Sequence, residues 1–290
     1  MSRIRIGLAV VVLALSASSC APVQTQDRSL LKPAEMSPDS VVLDIFFVRF
    51  PFGDEQINRQ LWKEVDEQHF TTEVRRELLR NGFRAGVVGT QLPTELAELL
   101  ELTDEPAQSL EASEICLAEL ESDPAVTRRH SQCRAGGRME IAASPIHDEL
   151  PVMVSEEQGL CGKSYPRAQG MLAVTPFPEP DGRVRLEVVP ELHFGQTRQR
   201  PVATQCGFRL EVRRPREVFD KLAFSANLNP GHMIVVSCLP DRPGSLGHHF
   251  LTEVSSGQKE QKLLVVRLSQ TQHDDLSPPT DVISLDALDQ

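Results

Sequence analysis

The chain of 290 residues reads as an α+β protein, a small β-α-α-β-α module followed by an antiparallel β-sandwich or half-barrel domain. Three observations predict this. Apolar residues recur at helical spacing between Ile57 and Leu78, the period changes to two after Gly170, and turn pairs such as Asp181-Gly182 separate the later runs. The boundaries fall at 41–103 for the α/β module, 104–165 for a connector with some strands, 166–269 for the β domain and 270–290 for an acidic tail.

Ahead of the fold, Arg3 and Arg5 precede an apolar run from Ile6 to Leu15, and Ala17-Ser18-Ser19-Cys20 follows. A charged start, a short apolar stretch and a small-residue cut make residues 1–19 a secretory signal. The run is about half of the roughly 20 residues that a helical span requires. Its end looks like the lipobox of bacterial lipoproteins, with Ala17 where that family usually carries leucine. The resemblance implies cleavage before Cys20 and lipidation of Cys20. Ala21 after it, in place of aspartate, agrees with sorting to the outer membrane on its periplasmic side. An ordinary secretory signal with a cysteine at the cut is the alternative. Residues 20–40 are polar, contain Pro22, Pro33 and Pro38, and show no period. They read as a flexible tether with an r.m.s. reach of roughly 25 Å.

Val41 to Phe50 is almost continuously apolar and ends at Pro51, which suits a strand covered on both faces. Ile57, Leu61 and Val65 mark a first helix, and Phe70, Val74 and Leu78 mark a second, stopped by Asn81-Gly82. Phe83 to Val88 reads as a strand and Leu92 to Leu100 as a third helix. The connector has an acidic stretch, Glu111 to Asp123, then a basic patch of Arg128, Arg129 and Arg134 that suits a solvated surface or an acidic partner. A strand is expected at Arg138 to Ala142. In the β domain, Val184, Leu186 and Val188 alternate with Arg183, Arg185 and Glu187, and Phe208, Leu210 and Val212 with Arg209, Glu211 and Arg213. One buried and one wetted face imply antiparallel pairing. Further strands are expected at Met171 to Phe177, Leu222 to Leu228, Met233 to Leu239 and Lys262 to Leu268, with a turn at Asn229-Pro230-Gly231. The tail from His273 has five aspartates, two prolines and no lysine or arginine, which predicts disorder.

The formal charge of -11 falls to -13 once Arg3 and Arg5 leave with the signal, and this acidity disfavours nucleic acid as a partner. Trp62 and Tyr165 are the sole residues of their kinds, so aromatic binding platforms are not expected; Trp62 belongs to a core or its edge. Besides Cys20 there are Cys116, Cys133, Cys161, Cys206 and Cys238, an odd number that leaves at least one thiol unpaired within the chain. Cys116 and Cys133 are the first candidates for a disulfide; Cys206 and Cys238 sit in apolar strand patterns. No two cysteines have the two-to-four-residue spacing of thiolate zinc sites, so neither metal nor cofactor is assigned.

Four constellations were weighed for chemistry. Gly162-Lys163-Ser164 matches the end of a phosphate-cradling loop, but the earlier glycine is replaced by Glu157, whose charge repels phosphate. His248-His249, with His193 and His232 on neighbouring β connections, supplies bases or ligands only if they converge, and adjacent histidines on a strand would face apart. Gly244-Ser245-Leu246-Gly247 lacks the serine-centred spacing of a nucleophile elbow. Carboxylate pairs such as Asp66-Glu67 and Glu156-Glu157 are what an acidic composition supplies. No catalytic residue is assigned.

Several segments of the β region follow a family order: Leu172 to Pro176, Asp181 to Glu187, Pro190-Glu191, Pro230-Gly231, Ile234 to Val236 and Leu239, Arg242 to Gly247 and Phe250, and Leu263 to Val266. On these, residues 170–268 resemble the C-terminal β-domain of secretins, the ring-forming outer-membrane channels of bacterial export. The N-terminal β-α-α-β-α order is loosely similar to the α/β ring-building modules that precede such channels. A secretin gate needs long inserted hairpins, whereas the link from His193 to Gln205 reads as short and polar. The resemblance therefore implies a cut-down sheet for assembly or docking, not conduction. The expected function is that of a non-enzymatic, outer-membrane-anchored lipoprotein in envelope assembly, secretion or protein interaction. Its partners would be the membrane through the anchor, envelope proteins, and a second copy as homo-oligomer. The alternative is a periplasmic enzyme or small-ligand binder with a site between the two domains.

Overall fold

Two antiparallel six-stranded sheets face each other across one core in the computed structural model, which describes residues 40–90, 97, 126–204, 207–255 and 257–272. The strands are β1 (Ser40–Pro51), β2 (Phe83–Val88), β3 (Val126–Arg134), β4 (Met139–Ala142), β5 (His147–Glu156), β6 (Gly159–Pro178), β7 (Val184–His193), β8 (Arg198–Thr204), β9 (Gly207–Arg213), β10 (Arg216–Val218), β11 (Phe224–Leu228), β12 (Met233–Cys238), β13 (Thr252–Ser255) and β14 (Gln258–Gln272). One sheet runs β2-β12-β14-β1-β3, with β13 also on β14. The other runs β10-β7-β6-β4, with β11 on β7 and β5 on the first half of β6. The result is a β-rich α+β fold.

The continuous apolar character of β1 has a direct cause. Val41, Leu43 and Ile45 join the core between the sheets, while Phe46, Val48 and Phe50 enter a second core on the outer face of the same sheet. Leu61 and Trp62 of helix α1 (Glu55–Glu64) cover that second core. Strand β14 divides in the same way, Leu264 and Val266 inward, Leu263 and Val265 outward. Each such side chain, fully buried, contributes about 1.5–3 kcal/mol. By contrast, β7 has one buried row, Val184, Leu186 and Val188, as its alternation predicts.

Helix α1 starts where Asp54 Oδ1 accepts the Ile57 N–H at 2.9 Å. Helix α2 (Thr72–Arg80) starts at Thr71 and ends at Asn81-Gly82, where Gly82 takes φ 78° as the sequence anticipates. Asn81 then acts as a stand-in strand residue. Its carboxamide accepts from the Ser155 N–H at 2.9 Å and donates to the Ser155 carbonyl at 3.2 Å, tying β5 to the end of α2.

Four expectations change. The segments 41–103 and 166–269 do not hold separate sheets: β1 and β2 flank β14 and β12, because strands buried on both faces need partners on either side. The second half of the connector, from Val126, is built of β3, β4, β5 and the start of β6. The His193–Gln205 link contains β8, which pairs with β9 as a separate two-stranded ribbon. Leu210 and Val212, expected on a buried face, are 66% and 61% exposed. Apart from Ala97, which is helical, the third helix lies outside the described residues, as do the signal, tether and acidic tail.

Candidate functional site

The histidines do not gather at one centre. His193, at the end of β7, places Nε2 3.0 Å from Glu191 Oε2, the two residues sharing a strand face at i, i+2 spacing. Arg138 donates to the same Glu191 oxygen and, at 3.2 Å, to Glu140 Oε1. The ligand atoms of Glu140, Glu191 and His193 lie within 4.8 Å of one another, a spacing that suits a metal. The Arg138 guanidinium already fills the role of the cation. Burial pushes the Glu191 carboxyl up, but the His193 hydrogen bond and the charges of Arg138 and Arg216 outweigh it and hold the group below the usual range.

His248 and His249 lie in a short helix, α3 (Leu246–Phe250), and not on a strand. Ser245 caps it, accepting the His248 N–H at 3.3 Å while its hydroxyl donates to the Arg242 carbonyl at 2.7 Å, so this serine is structural. Lys259 Nζ meets His248 Nε2 at 2.6 Å, and burial with that charge lowers the imidazole to about 4. His249 and His147 are lowered too, first by burial; the positive charge of His147 also acts on His249, and that of Lys262 on His147. Lys262 is buried, donates to the Ala143 carbonyl at 2.5 Å and pairs with Glu253 at 3.3 Å. Its own basicity falls, with desolvation the main cause. His232 belongs to the β11–β12 turn, its N–H donating to the Asn229 carbonyl.

Gly162-Lys163-Ser164 is extended in β6, paired with Pro151 to Met153 of β5, so its backbone amides serve a strand ladder and not a phosphate cradle. Lys163 sits between Glu217 at 2.9 Å and Glu156 at 3.0 Å, and those hydrogen bonds raise its pKa. Tyr165 donates to Glu217 Oε2 at 2.5 Å. A shallow cleft of about 450 Å³ lies beside α1, where Arg84 stacks on Trp62 at 4.4 Å and binds Glu67 Oε1 at 2.5 Å. Trp62 is a core residue, as expected. No helix among the described residues is long and apolar enough to cross a membrane.

Of the cysteines, Cys20, Cys116 and Cys206 lie outside the described residues. Cys133, on β3, carries a free thiol that donates to the Val41 carbonyl at 3.5 Å, and burial pushes it up to about 11. Cys161 and Cys238 are also free, and burial takes Cys238 to about 12.

The open features lie on the exterior. Strand β3 pairs only with β1 among the described residues, and its outer ladder edge carries the expected basic patch on exposed Arg128, Arg129 and Arg134. It is fastened to β1 through buried Asp44, which holds His130 Nδ1 at 2.9 Å and Arg128 Nη2 at 3.7 Å. Sequence reading missed Asp44, Glu191 and Lys262. The one available signal was the Glu-x-His spacing of Glu191 and His193 on a strand.

No protein-family model matches this chain, and no curated protein matches it in sequence. A solved structure to which it is similar is described as the InvG secretin domain β-barrel from the Salmonella SPI-1 injectisome NC-base. The match is 13% identical, covers 87% of this chain and 68% of that one, and has a TM-score of 0.22. At that TM-score the two backbones do not superpose as a whole.

Proposed function

We propose that this chain is a non-enzymatic protein of the bacterial envelope, held at the outer membrane by acylated Cys20 and serving assembly, secretion or protein interaction through its exterior. The observation that carries the reading is the free ladder edge of β3, nine residues long and lined with arginines. An edge of unpaired backbone groups receives a partner strand, and the cations reject basic or apolar strands in favour of acidic ones. The histidine and carboxylate groups, in contrast, are already engaged by Arg138, Lys259 and Lys262. The site between two domains that an enzyme or ligand binder was expected to use has no counterpart among the described residues, because 41–103 and 166–269 share a sheet.

The test is photo-crosslinking in intact cells from a benzoylphenylalanine placed at Thr127 or Arg129, with the adduct identified by mass. Recovery of an export or cell-envelope protein supports the scaffold. Absence of any adduct, with a purified monomer that turns over a small substrate, overturns it. Anchoring is checked separately by Cys20→Ser, which is expected to release the protein from the membrane fraction.

A further inference from the structure

The ribbon formed by β8 and β9 has no role in either core, and no other strand among the described residues pairs with it. An isolated two-stranded hairpin is at best marginally stable in water. Its root is nevertheless firmly set. The Phe194 N–H donates to the Pro215 carbonyl at 2.9 Å and the Gly195 N–H to the Pro166 carbonyl at 2.8 Å. The Arg214 guanidinium binds the carbonyls of Gly195 and of Arg167, and Arg167 is the one residue other than glycine with a positive φ, 46°, among the described residues. The ribbon is therefore aimed at something outside the sandwich.

Its register divides it into two unlike faces. Positions 198, 200 and 202 stand opposite 213, 211 and 209, which collects Arg198, Arg200, Arg209 and Arg213 with Val202 and Glu211. The other face collects Gln199, Pro201 and Ala203 with Val212, Leu210 and Phe208. Leu210 and Val212 are both mostly exposed, so the apolar face is not folded back on the sandwich there. Four arginines against one glutamate make this segment a cationic projection from a chain whose formal charge is -11.

From this we propose that the β8–β9 ribbon docks on an anionic phospholipid surface. Its apolar face enters the boundary between headgroups and acyl chains, and its arginines, through their long apolar stems, reach the phosphates from the opposite side. Charge decides for this occupant. The arginines repel a second ribbon laid edge to edge, and the acidity of the rest of the chain turns the ribbon, and not the sandwich, toward a negative surface. The docking face is separate from the β3 edge and acts whether or not Cys20 is acylated.

The experiment uses the full chain carrying Cys20→Ser, so that no acyl group contributes, and measures co-sedimentation with vesicles of phosphatidylcholine alone or mixed with phosphatidylglycerol. Binding is expected to the mixed vesicles, at least about tenfold weaker to phosphatidylcholine, and reduced by added salt. At about fivefold per arginine lost, Arg198→Glu with Arg209→Glu is expected to weaken partition at least about 25-fold. Leu210→Asp with Val212→Asp is expected to abolish it without changing the charge of the arginine face. Both variants leave the cores untouched, and unaltered Trp62 fluorescence confirms that each is folded. Equal binding to both vesicle types, or undiminished binding by both variants, overturns the proposal. So does a dimer in sedimentation equilibrium without lipid that Leu210→Asp with Val212→Asp dissolves, since the ribbon would then be covered by a second copy. Capture of an acidic protein by the ribbon with no binding to vesicles overturns it as well.

Discussion

Lys259 donates to His248 Nε2 at 2.6 Å, and the same ammonium lies 4.2 Å from the centre of the Phe52 ring. The bond requires a neutral imidazole. Its proton then resides on Nδ1, which is buried with no partner among the described residues.

A loss of stability in mild acid follows. The folded pKa of His248, about 4, lies below its ordinary 6.5, with burial the main cause and the charges of Lys259 and His249 adding to it. The unfolded chain therefore binds the proton first. Stability is complete above about pH 6.5 and drains as pH falls toward about 4, in the same direction for His249 and His147. From pH 7.5 to 5, His248 alone is expected to cost about 2 kcal/mol. Urea unfolding followed by Trp62 fluorescence measures this. His248→Gln keeps an acceptor for Lys259 and should flatten the profile; an unchanged slope would refute the assignment.

Removing Arg138 should be costly, because it leaves the Glu191 carboxylate buried with only His193 to hold it. Arg138 is itself 30% exposed, which moderates the loss. Arg138→Ala is expected to destabilise by about 2–3 kcal/mol at neutral pH. Glu191→Gln in the same background should recover part of it, since the charge that lacks a partner is gone. If the double variant is no more stable than Arg138→Ala, the cluster is not an electrostatic unit.

Legibility in the sequence followed burial. The alternation of β7 and the unbroken apolar run of β1 each declare how many faces are covered, and both were read correctly from the residues. Neither pattern says with whom a strand pairs, so the meeting of β1 with β14, more than two hundred residues away, was hidden. Strand β3 read as a basic connector because Val126 is its one fully buried residue. Strand β8, with Pro201 and no alternation of its own, takes its register from β9. The helix of His248 and His249 was missed because its five residues include Gly247 and carry no helical period. Glu191 and Arg138 meet across two strands, a contact that no local spacing records.

Thiol chemistry separates the described cysteines. Cys238 is 1% exposed, its Sγ donates to the Leu251 carbonyl at 3.4 Å, and burial pushes it to about 12, so it should resist alkylation until the chain unfolds. Cys133, held near 11, should react slowly, and half-buried Cys161 should be labelled before either. Iodoacetamide labelling with peptide mapping, native and in urea, gives the order. Rapid native modification of Cys238 would show that the core between the sheets opens.

The tightest backbone approach in the fold is at Gly247. A methyl group there would lie 2.1 Å from the Gly82 carbonyl oxygen and 2.7 Å from the Phe83 nitrogen. Both are main-chain atoms, so no side chain can swing aside to relieve the overlap. The Gly247 N–H meanwhile donates to the Asn81 carbonyl at 2.9 Å, which locks α3 against the stop of α2. Gly247→Ala must separate these two elements, and with them Phe250 from Phe83, whose rings pack edge to face at 5.4 Å. A loss of about 3 kcal/mol or more is expected in urea unfolding. Gly89→Ala serves as the control, because a methyl at Gly89 meets nothing within 4 Å, and it should change stability by less than about 0.5 kcal/mol. Equal stabilities of the two variants would mean that α3 does not rest on the Gly82 backbone.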